Sequence, residues 1–283
     1  MMRRAIVLGG GGITGIAWEW GILAGLTAAG VDVREADVVI GTSAGSVVGA
    51  QLATGLEPDE RYRAQLEPPD GEVAAAFGPG IWLRYGLAMI GSPAPRRVRS
   101  RIGRMALRAR TVPEQDRIDV IESRLPVKEW PDRRLRITAV DAETGEFRAF
   151  DRDSGVPLVL AVAASCAVPG VWPPVTIDGR RYMDGGMRSG ANADLANEYD
   201  RVFVLAPLAS GFGPMPSTHS QVATLRRKSE VTLVTPDAAA LKAFGRNVLD
   251  PAARAAAARA GLAQSDSVVE QVREVWGSDA QHS

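Results

Sequence analysis

Two apolar runs near the start of the chain, AIVL at 5–8 and VVI at 38–40, each break into a glycine turn and then a helical pattern. The first turn reads GGGGITG (9–15) and the second GTSAG (41–45). Short apolar runs bounded by glycine are buried strands, and the longer stretches after them are helices packed on the sheet. Strands are expected at 4–8 and 37–40, and helices at 14–29 and 43–53. Strand, turn and helix repeated in this order predict an α/β fold with a parallel sheet. Both turns then fall at the carboxyl edge of the sheet, where the active sites of such folds gather.

The pattern continues along the chain. Residues 57–125 are mostly helical, broken by proline and glycine. Strands at 135–140 and 146–150 flank Glu143-Thr144-Gly145, a hairpin signal, and 175–183 reads as a second hairpin turning at Asp178-Gly179. A helix is expected at 156–164, a loop at 169–174, and strands at 202–205 and 231–234. Beyond Pro236 the chain is alanine-rich and helical over 236–276. There Asp250-Pro251 gives an N-cap followed by proline at the first helical position. The residues from about 277 are expected to fray. No long linker or repeat interrupts the 283 residues, which read as one domain.

Composition narrows the chemistry. Lys plus Arg is 33 and Asp plus Glu is 33, so no global charge favours nucleic acid. A single cysteine, Cys166, excludes an internal disulfide and a cysteine-based zinc site. With only two histidines as well, no metal and no cofactor is expected. MMRR followed by an apolar run mimics a signal peptide, yet four glycines and Glu19 interrupt it, and no other stretch is long enough to span a bilayer. The expectation is a soluble, cytoplasmic protein without a cleaved leader, with any membrane contact peripheral.

The second turn has the Gly-x-Ser-x-Gly form of a nucleophile elbow, which holds the Ser43 hydroxyl exposed at the top of a sheet. A serine nucleophile needs a base. Ser43, Asp184 and His219 follow the chain order of an α/β-hydrolase triad. There, however, the elbow follows several strands, and here it follows the second. His219 lies in the polar stretch GPMPSTHSQ, and the other histidine, His282, is at the end of the chain. Asp184 closes a predicted strand in RRYMDGGMRSG, with Gly185 and Gly186 leaving room behind it. The reading is that Asp184 itself is the base, its pKa raised by partial desolvation beside Ser43. The first turn also matches a dinucleotide fingerprint at Gly10, Gly12 and Gly15, with Glu35 and Asp37 near the position of a ribose-binding acid. An NAD-type oxidoreductase is therefore the rival enzyme class, although Asp37 starts a strand rather than ending one.

The loop GGGGITG, the elbow GTSAG and the block ASCAVPGVWPPVTIDGRRYMDGG occur in the order seen in patatin-like phospholipases, and the resemblance to that family spans about residues 4–207. It implies a three-layer α/β/α fold with a mainly parallel central sheet, and lipid acyl hydrolysis without metal or cofactor. It also implies a Ser43–Asp184 dyad, with backbone N–H groups of Gly10, Gly11 and Gly12 as the oxyanion hole. Gly15, Gly41, Gly45, Gly185 and Gly186 would support the motifs. Substrates would be phospholipid, lysolipid or neutral ester; a silent lipid-binding fold is the non-enzyme alternative. One departure stands out. The family's loop often carries Arg or Lys where this chain has Thr14, which removes a cation able to meet a lipid phosphate.

Three further features carry weaker signals. Cys166 reads as a small buried residue. Trp18, Trp20, Trp82 and Trp172 read as core or pocket wall. The stretch 73–113 carries eight arginines, from Arg84 to Arg110, and no acid. Val98, Ile102 and Met105 share one helical face there, with most arginines elsewhere. Two readings stand side by side. One is a cap over Ser43 whose basic stretch 84–110 docks on anionic lipid; the other is a solvated helix whose arginines pair within the fold.

Overall fold

In a computed structural model, which describes residues 2–68, 75, 79–91 and 94–277, eight strands form one mixed sheet. The strands are β1 (Arg4–Leu8), β2 (Val38–Gly41), β3 (Arg134–Asp141), β4 (Phe147–Phe150), β5 (Val175–Ile177), β6 (Arg180–Asp184), β7 (Arg201–Leu205) and β8 (Glu230–Val234). Their order is β5-β6-β3-β2-β1-β7-β8, with β4 also on β3. In this order the neighbours from β3 to β8 are parallel, while β4 and β6 run antiparallel to β3 and β5 antiparallel to β6. The helices are α1 (Gly12–Ala28), α2 (Ala44–Ala53), α3 (Pro58–Leu66), α4 (Pro79–Met89) and α5 (Pro95–Leu107). They continue with α6 (Glu114–Ser123), α7 (Leu158–Ser165), α8 (Thr218–Leu225), α9 (Ala238–Phe244) and α10 (Arg254–Trp276).

β1 shows how the layers arise. Successive side chains of a strand point to opposite faces. Ile6 and Leu8 enter a core shared with α1, α2, α7 and α10, whereas Ala5 and Val7 enter a second core with Tyr199, Val222 and Leu225. All four are 0% exposed, so helices cover both faces of the sheet. The fold is thus the three-layer α/β arrangement expected, with a mostly parallel centre.

α1 is mainly apolar, with Glu19 as its one charged residue, and is buried against α10, α3 and α2. Small residues let α1 and α10 touch: a Cβ on Gly21 would lie 2.2 Å from Ala258 O, and one on Gly261 2.3 Å from Trp18 O. Trp18 and Trp20 are core, as expected, and their indole N–H groups donate to Gln264 and Gln51 at 2.8 and 3.1 Å. Asp250 accepts from Ala252 N–H at 2.9 Å, and Pro251 opens the short turn that leads into α10. The Trp82 side chain, and residues 278–283 with His282, lie outside the described residues.

The basic stretch forms α4 and α5. Val98 and Ile102 are 0% exposed and pack with Tyr85, Val140 and Met183, so the apolar face of α5 belongs to the protein body and is not available to lipid. Its arginines largely hold local structure. Arg96 pairs with Glu146 at 2.7 Å, Arg99 donates to Gly145 O, and Arg101 donates to Ala88 O and Ile90 O at the end of α4. Arg96, Arg99 and Arg101 of α5 thus find partners within the fold, while Arg97 is exposed. Exposed apolar residues occur instead on α4 and just after it, at Leu83, Leu87 and Ile90.

Candidate active site

β1 and β2 are parallel neighbours, and Leu8 pairs with Gly41 in their register. The glycine loop and the elbow therefore leave the sheet side by side. Gly45 N–H donates to Gly9 O at 2.9 Å and ties the two turns together. A side chain at Gly45 would put Cβ 2.1 Å from Leu8 O, which is why this position takes glycine. Ser43 has φ 51° and ψ −116° and caps α2. A non-glycine residue at positive φ is strained by roughly 1–3 kcal/mol, held here by the packed turn. The Ser43 N–H donates to Ser165 Oγ at 2.9 Å.

Register also delivers the carboxylate. Gly41 pairs with Ile137 of β3, and two residues further along β3 Ala139 pairs with Asp184 at the end of β6. Ser43 is two residues past Gly41, so both side chains emerge at one level of the sheet edge. Ser43 Oγ donates to Asp184 Oδ2 at 2.7 Å, and Gly186 N–H donates to Asp184 Oδ1 at 2.7 Å. Asp184 is 3% exposed. Burial pushes its pKa up to about 6, and the Ser43 hydroxyl, the Gly186 amide and the Arg117 charge hold it from rising further. That is the range in which a carboxylate is ionised at neutral pH yet more basic than usual. Cys166 donates to Ser43 O at 3.2 Å. Burial and the nearby Asp184 push its thiol up to about 11, which suits the structural role read for it.

In the glycine loop, Gly10 N–H donates to Gly190 O at 2.7 Å and Thr14 N–H to Val248 O at 3.1 Å. The Gly10 donor is thus engaged by protein, which narrows the expected oxyanion donors to Gly11 and Gly12. Their N–H groups meet no acceptor among the described residues, and both glycines line the cavity above Ser43. Gly12 has φ +62°, and a Cβ there would meet Val248 O at 2.6 Å. Only glycine suits that conformation and space. Gly15 lets Pro207 and Ala44 approach, and a Cβ on Gly185 would strike Thr138.

Several residues that sequence reasoning missed fasten this assembly. Asn192, at φ 53°, donates to Thr42 Oγ1, Gly185 O and Ser189 O at 3.0, 3.2 and 3.0 Å. Thr42 and Thr138 hydroxyls meet at 2.8 Å, and Ser189 donates to Gln221 at 2.7 Å. This buried polar network binds the elbow to the loop after Asp184. A run of small residues ending in Asn192 (SGAN, 189–192) lies two residues beyond Asp184-Gly-Gly in the sequence and was its available signal.

The cavity over Ser43 has a volume of about 220 Å³. Ile13, Ile16, Trp172, Phe212, Met215 and Leu249 give it an apolar wall, which bears out the pocket reading of Trp172. Arg117 and Arg124 also line it, and neither was singled out from the sequence. His219 is exposed in the first turn of α8 and is not on this wall. Thr14 is 0% exposed and also off the wall. Glu35 and Asp37 sit at the opposite end of the sheet, where Glu35 pairs with Arg4 and Asp37 accepts from Arg4 N–H at 2.6 Å. The physical reason is that they precede β2, whereas a ribose-binding acid would follow it. The dinucleotide reading loses its acid.

The model of the family described as "Patatin-like phospholipase" matches residues 6–197. Among solved structures, the chain is similar to VipD from Legionella pneumophila, with 12% identity and a TM-score of 0.49, covering 95% of this chain and 67% of VipD. It is also similar to the type III effector protein ExoU, with 14% identity and a TM-score of 0.44, covering 96% of this chain and 53% of ExoU. A further structure, of SpcU in complex with ExoU from Pseudomonas aeruginosa, matches at 14% identity and a TM-score of 0.39, covering 98% of this chain and 53% of that one. With the family model covering more than half of its length, the chain belongs to the patatin-like phospholipase family.

Proposed function

We propose that the protein is a serine acyl hydrolase acting on carboxylic esters of lipids through Ser43 and Asp184. The observation that carries this is the 2.7 Å hydrogen bond from the elbow serine to a buried carboxylate. Asp184 takes the Ser43 proton as Oγ attacks the ester carbonyl carbon. The carbonyl oxygen becomes an oxyanion, held by Gly11 and Gly12 N–H at the start of α1. As the tetrahedral intermediate collapses, the C–O bond to the alcohol breaks and Asp184 returns its proton to that oxygen. A water then gives a proton to Asp184 and attacks the acyl-enzyme, releasing the carboxylic acid and regenerating Ser43. Wild type should hydrolyse a short p-nitrophenyl ester and Ser43→Ala should not. Turnover by a clean Ser43→Ala preparation at the wild-type rate would refute the reading.

The same reading places the protein at a lipid surface. No helix among the described residues is long and apolar enough to cross a membrane. Leu83, Leu87 and Ile90 are 65%, 57% and 67% exposed and share one face at i, i+4 and i+7. Tyr85, on the other side of α4, faces the Ser43 cavity. Arg84, next to Leu83 in the sequence, is exposed as well. Apolar side chains beside a cation match an anionic bilayer, with the leucines entering the interface and the arginine facing head groups.

A further inference from the structure

The stretch ASCAVPG (164–170) lends no group to the steps of ester cleavage, yet it touches both members of the dyad. Ser165 ends α7, and its Oγ accepts from Ser43 N–H at 2.9 Å. Cys166 follows, and its thiol donates to Ser43 O at 3.2 Å. Ala167 comes next, and its carbonyl accepts from Asp184 N–H at 3.0 Å. Three consecutive residues thus bridge the backbone of the nucleophile to the backbone of the base. Ser165 is 0% exposed and is not on the cavity wall, so it does not reach a substrate over Ser43. α7 itself packs on α2, which Ser43 opens, and on β6, which Asp184 closes.

What this bracket resists is strain. Ser43, at φ 51° and ψ −116°, takes the first corner of a type II′ turn, a position that suits glycine. A serine there relaxes toward ordinary φ unless its peptide groups are held. The carbonyl side is held by Ser46, whose N–H and Oγ both donate to Ser43 O, at 2.9 and 2.6 Å. On the N–H side the acceptor among the described residues is Ser165 Oγ. Without that hydroxyl a buried N–H is left unsatisfied, which is unfavourable, and the Thr42–Ser43 peptide turns in search of another acceptor. Ser43 Oγ moves with it. Its bond to Asp184 Oδ2 is 2.7 Å, and a shift of about 1 Å takes it beyond hydrogen-bond reach.

We infer that Ser165 is a positioning residue for the nucleophile: from the end of α7 it holds the Ser43 peptide in its strained turn, while the nearby Ala167 carbonyl fixes Asp184, so that the turn 165–167 sets the separation of nucleophile and base. The inference rests on the acyl-hydrolase reading and adds a residue to it. Ser165→Ala removes the acceptor and little volume. With a short p-nitrophenyl ester, kcat should fall by between about tenfold and a hundredfold, as expected for a misplaced reacting atom, with KM within about twofold of wild type. Labelling of Ser43 by a fluorophosphonate should slow by a similar factor. The pH profile adds a readout that lost stability alone does not move. The Ser43 hydroxyl is one of the groups that hold the pKa of Asp184 down, so its release raises that pKa, and the acidic limb of kcat/KM should move to higher pH. The other groups that face Asp184 are Arg117 of α6, Tyr85 of α4 and Cys166 after α7, and the variant keeps them all. Ser165→Cys, close in shape but with a weakly accepting sulfur, should lie between wild type and Ser165→Ala in all three readouts. Val268→Ala, in the core on α10 and off the cavity wall, lowers stability through lost packing and should leave kcat and the pH limb at wild-type values. Wild-type kcat, labelling rate and pH limb in folded Ser165→Ala, or in Ser165→Cys if the alanine variant does not fold, would overturn the inference. An equal loss of kcat in Val268→Ala would overturn it too, since the effect would then be one of stability. Absence of both ester turnover and labelling in wild type would instead refute the acyl-hydrolase reading beneath it.

Discussion

Replacing Asp184 by asparagine separates what this carboxylate does for chemistry from what it does to stability. The asparagine amide can still accept from Gly186 N–H and donate to Ser43 Oγ, so the turn keeps both 2.7 Å contacts. What disappears is the proton acceptor and the buried charge. Removal of a general base lowers activity by about a hundredfold or more. The stability effect has the opposite sign. Burial raises the folded-state pKa of Asp184 from 3.8 to about 6, so ionising it in place amounts to roughly 3 kcal/mol by proton linkage. A raised carboxyl favours the fold fully below the unfolded pKa, and that contribution is lost as pH rises through the folded value. Wild type should therefore lose stability relative to Asp184→Asn between about pH 4 and pH 6.5. At pH 8 the variant should be the more stable by up to roughly 3 kcal/mol, a rise of several degrees in Tm. Thermal melts of both proteins from pH 4 to pH 8, with ester hydrolysis on the same samples, provide the assay. A Tm difference constant across that range would refute the burial argument, and retention of most activity by Asp184→Asn would refute its role as base.

Other perturbations probe separate parts of the account. His219→Ala should keep activity and stay within about 0.5 kcal/mol of wild type, because the side chain is exposed and off the cavity wall; loss of activity comparable to Ser43→Ala would restore a histidine triad. Glu19 is 0% exposed, and desolvation raises its pKa well above the usual value, partly offset by the Gly9 amide. Glu19→Gln should therefore come nearest to wild type in urea melts at about pH 4 and exceed it at pH 8, and a difference independent of pH would contradict the raised pKa of the buried Glu19. Leu83→Gln with Leu87→Gln should weaken co-sedimentation with anionic vesicles by at least about tenfold, since each leucine buries on the order of 1.5–3 kcal/mol of apolar surface. Equal sedimentation of the double variant would remove α4 from the membrane contact.

The two turns, their strands and the Asp184 block were legible because local pattern encodes them. Glycine marks where backbone must approach backbone, and apolar runs mark strands buried on both faces. What pattern could not supply was the partner across space. The period of α5 correctly placed Val98 and Ile102 on one face, yet period does not say what covers a face, and here β3 and β6 cover it. Exposed Leu83 and Leu87 could not be told from core for the same reason. Gly10 looked like a donor until Gly190, brought in by the loop after β6, was seen to engage it. Thr14 was legible as a departure, but only packing shows that its position is sealed by Val248. Arg117 was hidden furthest: it lies in an ordinary charged helix, far in sequence from every motif, and only the placement of α6 beside Trp172 brings it to the cavity.

The most direct measurement is covalent labelling of the protein by a fluorophosphonate, read by intact mass and by peptide mapping. Attack by Ser43 Oγ on phosphorus expels fluoride and leaves a stable adduct, which reports the nucleophile without assuming any lipid. The account predicts one adduct per chain, located on the peptide containing Ser43, absent from Ser43→Ala and much slower to form in Asp184→Asn. An adduct on another residue, or equal labelling of wild type and Ser43→Ala, would contradict it.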